Sequence, residues 1–331
     1  MVTKEDVEIA QALVDVLRGT NWQAVAIAQG YLALAEGKDP STAARVIYEN
    51  SPPTSLKNCR DIISRFQRGE RLVSTFTART RTGSAENPIT KLFPAVITEQ
   101  RFLELIDILR TKRRSVECCD VRESGNLADI ILREGDHFLP INVKNAGTPF
   151  YRAKELVGLD PEDCVPIPAY KAFGALEQMP DLLYVVSIDY RLLRNINDNL
   201  REILDDKEKV VWDILGQYAG QGIRSAEDRF VFSCVKKYWD KFKSLADNSP
   251  FYAISARKAI RILQTLPKRT PGLGLRAWGT SAAAEINVHV SVKADMTPWD
   301  EVAKRIEAKG IQDIRCAINR KRKEEVYDPE I

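Results

Sequence analysis

Histidine is nearly absent from this sequence, with two in 331 residues, His137 and His289. That scarcity argues against a zinc centre and against imidazole-driven acid–base chemistry. The six cysteines, at 59, 118, 119, 164, 234 and 316, form no Cys-x-x-Cys pair, so neither a zinc knuckle nor a thioredoxin-like motif is written here. Reduced thiols in a cytoplasmic protein are the expectation. No apolar run approaches the ~20 residues that a membrane helix needs, so no membrane partner is expected. The opening residues MVTKEDVEIAQALVDVL carry acids and lack an apolar core, and no secretory signal is expected from them. There is no GxGxxG after a strand-like run, no GxxxxGK[ST] and no GxSxG. Dinucleotide, P-loop and serine-hydrolase chemistry therefore lack their motifs.

What is present is the balance of a soluble globular chain, 44% hydrophobic and 29% charged. Its length suffices for two domains or one decorated domain. The net charge of +3 decides nothing alone, but the basic residues gather at Lys112-Arg113-Arg114, at Lys268-Arg269 and from Arg320 to Lys323. Such clusters suit a phosphate-binding surface or simply a solvated one. No internal repeat or low-complexity tract occurs.

Residues 1–72 read as a helical region, with helices over 4–18, 22–36, 41–50 and 55–69. Ser41 and Ser55 are the expected N-caps, and Gly69 the expected stop. The last two helices fit a helix-turn-helix, with Lys57, Arg60, Arg65 and Arg68 on the second, or an ordinary helical bundle. Residues 73–86, rich in Thr, Arg, Ser and Gly, read as a linker or a DNA-contacting arm carrying Arg79 and Arg81. Residues 87–331 form the remaining region. It opens with a helix over 87–109, expected to break at Pro94. Glu99 falls on the apolar face of that helix with Phe102 and Ile106, where it either points at a site or reaches water at the edge of the stripe. Strands follow at 115–122, 128–133 and 138–144, then a helix at 169–179 and a buried strand at 181–190. The last third holds helices near 196–218, 226–246 and 255–265, a Gly-rich loop, a strand at 285–293 and a helix at 298–309. The expected fold class is α/β, a mixed central sheet flanked by helices with a helical N-terminal region.

The segment LADIILREGDHFLPINVKNAG, from Leu127 to Gly147, reads as a β-hairpin turning at Gly135-Asp136. That turn sets Asp129 opposite Asn142. Side chains two apart share a face, so Asn142 and Lys144 lie on one face while Ile141 and Val143 point into the core. An acid, an amide and a lysine clustered there suit phosphodiester hydrolysis. Asp129 can ligate Mg²⁺, which prefers oxygen ligands, Asn142 can add a neutral oxygen, and Lys144 can offset charge on the reacting phosphate. A structural ion pair between Asp129 and Lys144 is the plainer alternative.

At these residues the sequence resembles the PD-(D/E)xK nuclease superfamily, and among its members the type II restriction endonucleases. The family pattern is an Asp on one strand, then acid-x-Lys at the end of the next. Here it reads Asp129, thirteen residues, then Asn142-Val143-Lys144. The resemblance covers roughly residues 86–190. It implies a restriction-endonuclease-like core, Mg²⁺-dependent cleavage of double-stranded DNA and a homodimer. The family's middle acid is Asn142 here, so the resemblance implies a carboxylate recruited from elsewhere, Glu99 by preference, with Glu86 and Glu123 as alternatives. The implied catalytic and metal-binding set is Asp129, Asn142, Lys144 and Glu99.

DNA contacts are expected from Arg79 and Arg81, from Asn145 and Thr148 just past the lysine, and from Lys268, Arg269 and Arg276 in the loop LPKRTPGLGLRAWG. Two other functions remain open: a repair or recombination nuclease of the same fold, and a DNA-binding regulator with a dead core. Metal-dependent cleavage at discrete sites would separate the first reading from both.

Overall fold

A computed structural model describes residues 2–16, 23–50, 55–72, 88–122, 126–145, 164–168, 175, 178–188, 190–218, 224–246, 250–265 and 287–319. The chain divides into two compact units. One joins Met1–Phe93 to Ile196–Phe242; the other joins Pro94–Asn195 to Lys243–Ile331. The sequence reading had placed residues 196–242 with the core, whereas in space they belong with the N-terminal helices.

The first unit is helical. It contains α1 (Lys4–Val16), α2 (Gln23–Ala35), α3 (Pro40–Asn50) and α4 (Leu56–Gln67). Capping follows local chemistry, with one correction. α3 is capped by Asp39 rather than Ser41: the Asp39 carboxylate accepts the N–H groups of Ser41 and Thr42 at 3.0 and 3.1 Å. Ser55 caps α4, accepting the N–H of Asn58 at 3.2 Å, and Gly69 follows the helix with φ +90°. Of the basic residues on α4, Arg65 pairs with Glu70 and Arg68 is the C-cap. The Asp6 carboxylate is fully buried. It accepts from Arg71 Nε at 2.8 Å, from the Leu72 N–H at 3.1 Å and from the Tyr31 hydroxyl at 3.3 Å. A buried charge is tolerable on those terms, paired and hydrogen-bonded.

The second unit is built on a sheet. α5 (Pro88–Lys112) leads into β1 (Glu117–Asp120), β2 (Ile130–Glu134) and β3 (His137–Asn145). Pro94 does not break α5, which runs through it; the Thr98 hydroxyl donates to the Pro94 carbonyl at 2.7 Å. After β4 (Cys164–Pro168) and β5 (Leu183–Ser187), the chain passes through α6 (Tyr190–Ile203), α7 (Asp206–Tyr218), α8 (Arg224–Lys237) and α9 (Trp239–Ala246). The single helices expected over 196–218 and 226–246 are each interrupted. Asp205 causes the first interruption, because its carboxylate accepts the N–H groups of Lys207 and Glu208 and so starts α7. β6 (Phe251–Ser255), α10 (Ala256–Thr265), β7 (Asn287–Ser291), β8 (Thr297–Pro298), α11 (Trp299–Lys309) and α12 (Ile311–Asn319) complete the chain.

Six strands form a mixed sheet in the order β1-β2-β3-β5-β6-β8, and β4 and β7 form a separate antiparallel pair. Only the β3–β5 pairing is parallel within the six-stranded sheet, with Asn142 beside Tyr184 and Lys144 beside Val186. One face packs Ile141, Val143, Leu183, Val185 and Phe251 against Phe102 and Ile106 of α5 and against α11 and α12. The other packs Tyr184, Val186 and Ile254 with α10 and the β4–β7 pair. All of β5 is buried, as a central strand covered on both faces should be. No described helix is long and apolar enough to cross a membrane.

Candidate active site

The hairpin turns at Gly135-Asp136, and its register runs from Glu134–His137 to Ile130–Ile141. Gly135 has φ +58°, the left-handed conformation that such a turn requires. The ladder then departs from the expectation that Asp129 would pair with Asn142. The Asp129 N–H donates to the Ile141 carbonyl at 2.8 Å, and its carboxylate Oδ2 accepts the N–H of Val143 at 2.6 Å. The side chain has taken the place of the backbone partner, which holds the carboxylate at the end of β3.

Asn142 lies on the opposite face from Ile141 and Val143, as alternation demands, but it is only 5% exposed. Its Nδ2 donates to the Leu127 carbonyl at 2.8 Å. Its Oδ1 is buried and has no hydrogen-bond partner among the described residues. A buried amide oxygen without a donor is costly, unless a cation or a water supplies the missing contact. Lys144, half-buried, has its ammonium 3.5 Å from the Val143 carbonyl.

Glu99 reaches the same place from α5. Its carboxyl is pushed up to about 8, by burial first and by the Asp129 carboxylate second, against the opposing pull of Arg122 and Lys144. The charges of Asp129 and Lys144 thus both act on Glu99. Neighbouring residues clamp α5 here. Asn145 Nδ2 donates to the Thr98 hydroxyl oxygen at 2.8 Å, and Arg122 Nη2 donates to Gln100 Oε1 at 3.2 Å. The Arg122 guanidinium also donates to Asp120 at 2.7 and 2.9 Å and lies 3.9 Å from Glu99 Oε2.

Three residues at this site escaped the sequence reading: Arg122, Asp120 and Thr98. Their only trace in the sequence is Asp-x-Arg at the end of β1. Asn145, expected at the DNA, has its amide nitrogen tied to Thr98 and its Oδ1 buried. Arg79, Arg81, Thr148, Lys268, Arg269 and Arg276 lie outside the described residues, as do Glu86 and Glu123.

Among the described residues no group of three or more His, Cys, Asp or Glu is placed to hold a metal ion. The oxygen groups that could hold one are the carboxylates of Asp129 and Glu99 and the amide oxygen of Asn142. All are oxygen donors, the kind a hard cation such as Mg²⁺ prefers, and the Asn142 Oδ1 has no hydrogen-bond donor among the described residues. No family model, curated protein or solved structure matches the chain.

Proposed function

We propose that this chain is a Mg²⁺-dependent endonuclease that hydrolyses phosphodiester bonds of double-stranded DNA at defined sites, in the manner of type II restriction enzymes, and acts as a homodimer. The observation that carries the proposal is the buried Oδ1 of Asn142, which has no hydrogen-bond donor among the described residues, on a hairpin that also presents Asp129 and Lys144. The order of elements supports the same reading: a helix, a three-stranded antiparallel meander, and a strand parallel to the last of the three.

In this reading Asp129, Glu99 and the Asn142 oxygen hold the cation. When bound, Mg²⁺ supplies Lewis-acid polarisation of the scissile phosphate. The protein's own part is orientation and charge. The Val143 N–H fixes Asp129, and Arg122 and the Thr98–Asn145 bond fix the stretch of α5 that carries Glu99. Lys144 places a positive charge at the end of β3, where it offsets negative charge building on the phosphate. Two copies of the site in a homodimer serve the two strands of a symmetric sequence.

The test is incubation of the purified protein with phage DNA in buffered Mg²⁺, beside EDTA and Lys144→Ala controls. Discrete fragments that vanish in both controls are the expected result. A smear with the same dependence points instead to a repair-type nuclease. Intact DNA with shifted mobility under every condition means a binding protein and overturns the proposal.

A further inference from the structure

Arg122 is an unusual residue to find buried beside a site for a cation. Its side chain is 3% exposed, yet it carries a full positive charge. It lies just past the end of β1, and its guanidinium hydrogen-bonds to Asp120 and Gln100 and lies beside Glu99. Two bonds go to the Asp120 carboxylate, at 2.7 and 2.9 Å, and one to Gln100 Oε1 at 3.2 Å; Glu99 Oε2 lies 3.9 Å from Nη1. Gln100 and Glu99 are consecutive on α5, and Asp120 sits on β1. The guanidinium is therefore a rigid strut between the sheet and the segment of helix that presents Glu99. On the other flank, Thr98 is tied to Asn145 at the end of β3. Residues 98, 99 and 100 point in different directions around the helix, so the two ties restrain rotation of α5 as well as its distance from the sheet.

We infer that Arg122 is a positioning residue, which sets the Glu99 carboxylate for cation binding through its bonds to Gln100 and Asp120. The inference rests on the reading of Asp129, Asn142 and Glu99 as cation ligands. It makes a prediction of unusual sign. Judged by charge alone, deleting a cation beside a Mg²⁺ site should strengthen metal binding, because a repulsion is removed. Judged by geometry, deletion should weaken it, because the carboxylate is no longer held.

The experiment is direct binding of Mn²⁺, as a Mg²⁺ surrogate, followed by loss of the free-ion EPR signal, with thermal melts alongside. Wild-type protein is expected to bind, and Glu99→Gln and Asp129→Asn to bind more weakly. Wild-type protein that does not bind, or ligand variants that bind like wild type, would sink the reading of the site without touching the geometry of Arg122. Given binding, Arg122→Ala is expected to raise Kd about 10- to 100-fold, the usual effect of removing a group that orients a ligand. Arg122→Lys keeps the charge but cannot fork, and is expected to restore only part of the loss. An Arg122→Ala protein that melts normally and binds as tightly as wild type, or tighter, overturns the inference, and so does full recovery in Arg122→Lys. Should Arg122→Ala fail to fold, Asp120→Asn and Gln100→Ala keep the guanidinium and remove its anchors. Each should raise Kd in the same direction, and an unchanged Kd in both overturns the inference.

Discussion

One carboxylate oxygen of Asp129 accepts the backbone N–H of Val143 at 2.6 Å. The side chain thus has two tasks, completing a strand whose ladder has ended and offering charge to the proposed cation. Substitution can separate them. Asp129→Ala leaves the N–H of Val143, a residue 3% exposed, without its acceptor, and should cost about 1–3 kcal/mol of stability along with activity. Asp129→Asn keeps an oxygen for Val143 and should stay within about 1 kcal/mol of wild type while losing cleavage. Urea denaturation beside the DNA-cleavage gel tests this. Equal stability losses in the two variants would show that the Val143 bond is not what Asp129 contributes to the fold.

The same argument explains the amide at position 142, where the proposed nuclease reading would place an acid. Asn142 Nδ2 donates to the Leu127 carbonyl at 2.8 Å. An aspartate there would set two acceptor oxygens against each other inside the protein. Asn142→Asp is therefore expected to lose about 1–3 kcal/mol without metal. It should also gain more in melting temperature from saturating Mn²⁺ than wild type does, because a carboxylate binds the ion better and binding stabilises the folded state. A metal-free Asn142→Asp protein as stable as wild type would remove this account of the amide.

The hairpin was the most legible part of the sequence. Alternation of Ile130, Leu132, Leu139, Ile141 and Val143, with Gly-Asp between the runs, fixes both the turn and the register. Caps such as Ser55 are equally local. What sequence could not supply was whatever depends on distant packing. FYAIS, from Phe251 to Ser255, passes straight into α10 with Ser255 as both last strand residue and helix cap, its hydroxyl accepting the Lys258 N–H at 3.0 Å. Asp247-Asn248-Ser249-Pro250 marks where that strand starts, but no turn residue separates it from the helix that follows. The depth of Asn142 follows from the layer on its face of the sheet, contributed by residues 164–168 and 287–291. Arg122 has meaning only because α5 crosses the end of β1, bringing it to a glutamate 23 positions earlier. Pro94 misled because one lost hydrogen bond near the start of a long helix does not end it when the flanking turns are packed.

A second carboxylate makes a pH prediction. Burial alone would raise the pKa of Glu134, but the Ser115 hydroxyl, the Arg113 guanidinium and the Ile311 N–H together hold it below its ordinary value of 4.5. A depressed carboxyl means that the folded state binds the proton less readily than the unfolded one. Its contribution to stability is therefore fully present above pH 4.5 and is lost as pH falls through the folded pKa. Wild type should exceed Glu134→Gln in stability at neutral pH, and the gap should close as the pH drops below 4.5 and through the folded-state pKa. A gap that is constant with pH would mean that the ionised form is not what the Arg113 and Ile311 bonds favour.

Gly310 stands against that same carboxylate. It ends α11 with φ +89° and ψ 174°, a conformation open to glycine and strained for other residues. A Cβ there would also collide with Glu134 Oε2 and lie 2.7 Å from Arg113 Nη2. Gly310→Ala must therefore strain the backbone, at about 1–3 kcal/mol, and also push apart the ion pair of Arg113 and Glu134, whose Nε–Oε1 distance is 2.6 Å. Because both effects meet at Glu134, they should not be independent. In denaturant titrations Gly310→Ala should be clearly destabilised, and combining it with Glu134→Gln should cost less than the two single losses added, since the second change removes a pair already disturbed. Strict additivity would mean that the backbone strain acts alone and that the glycine is there for its φ, not for the room it leaves to Glu134.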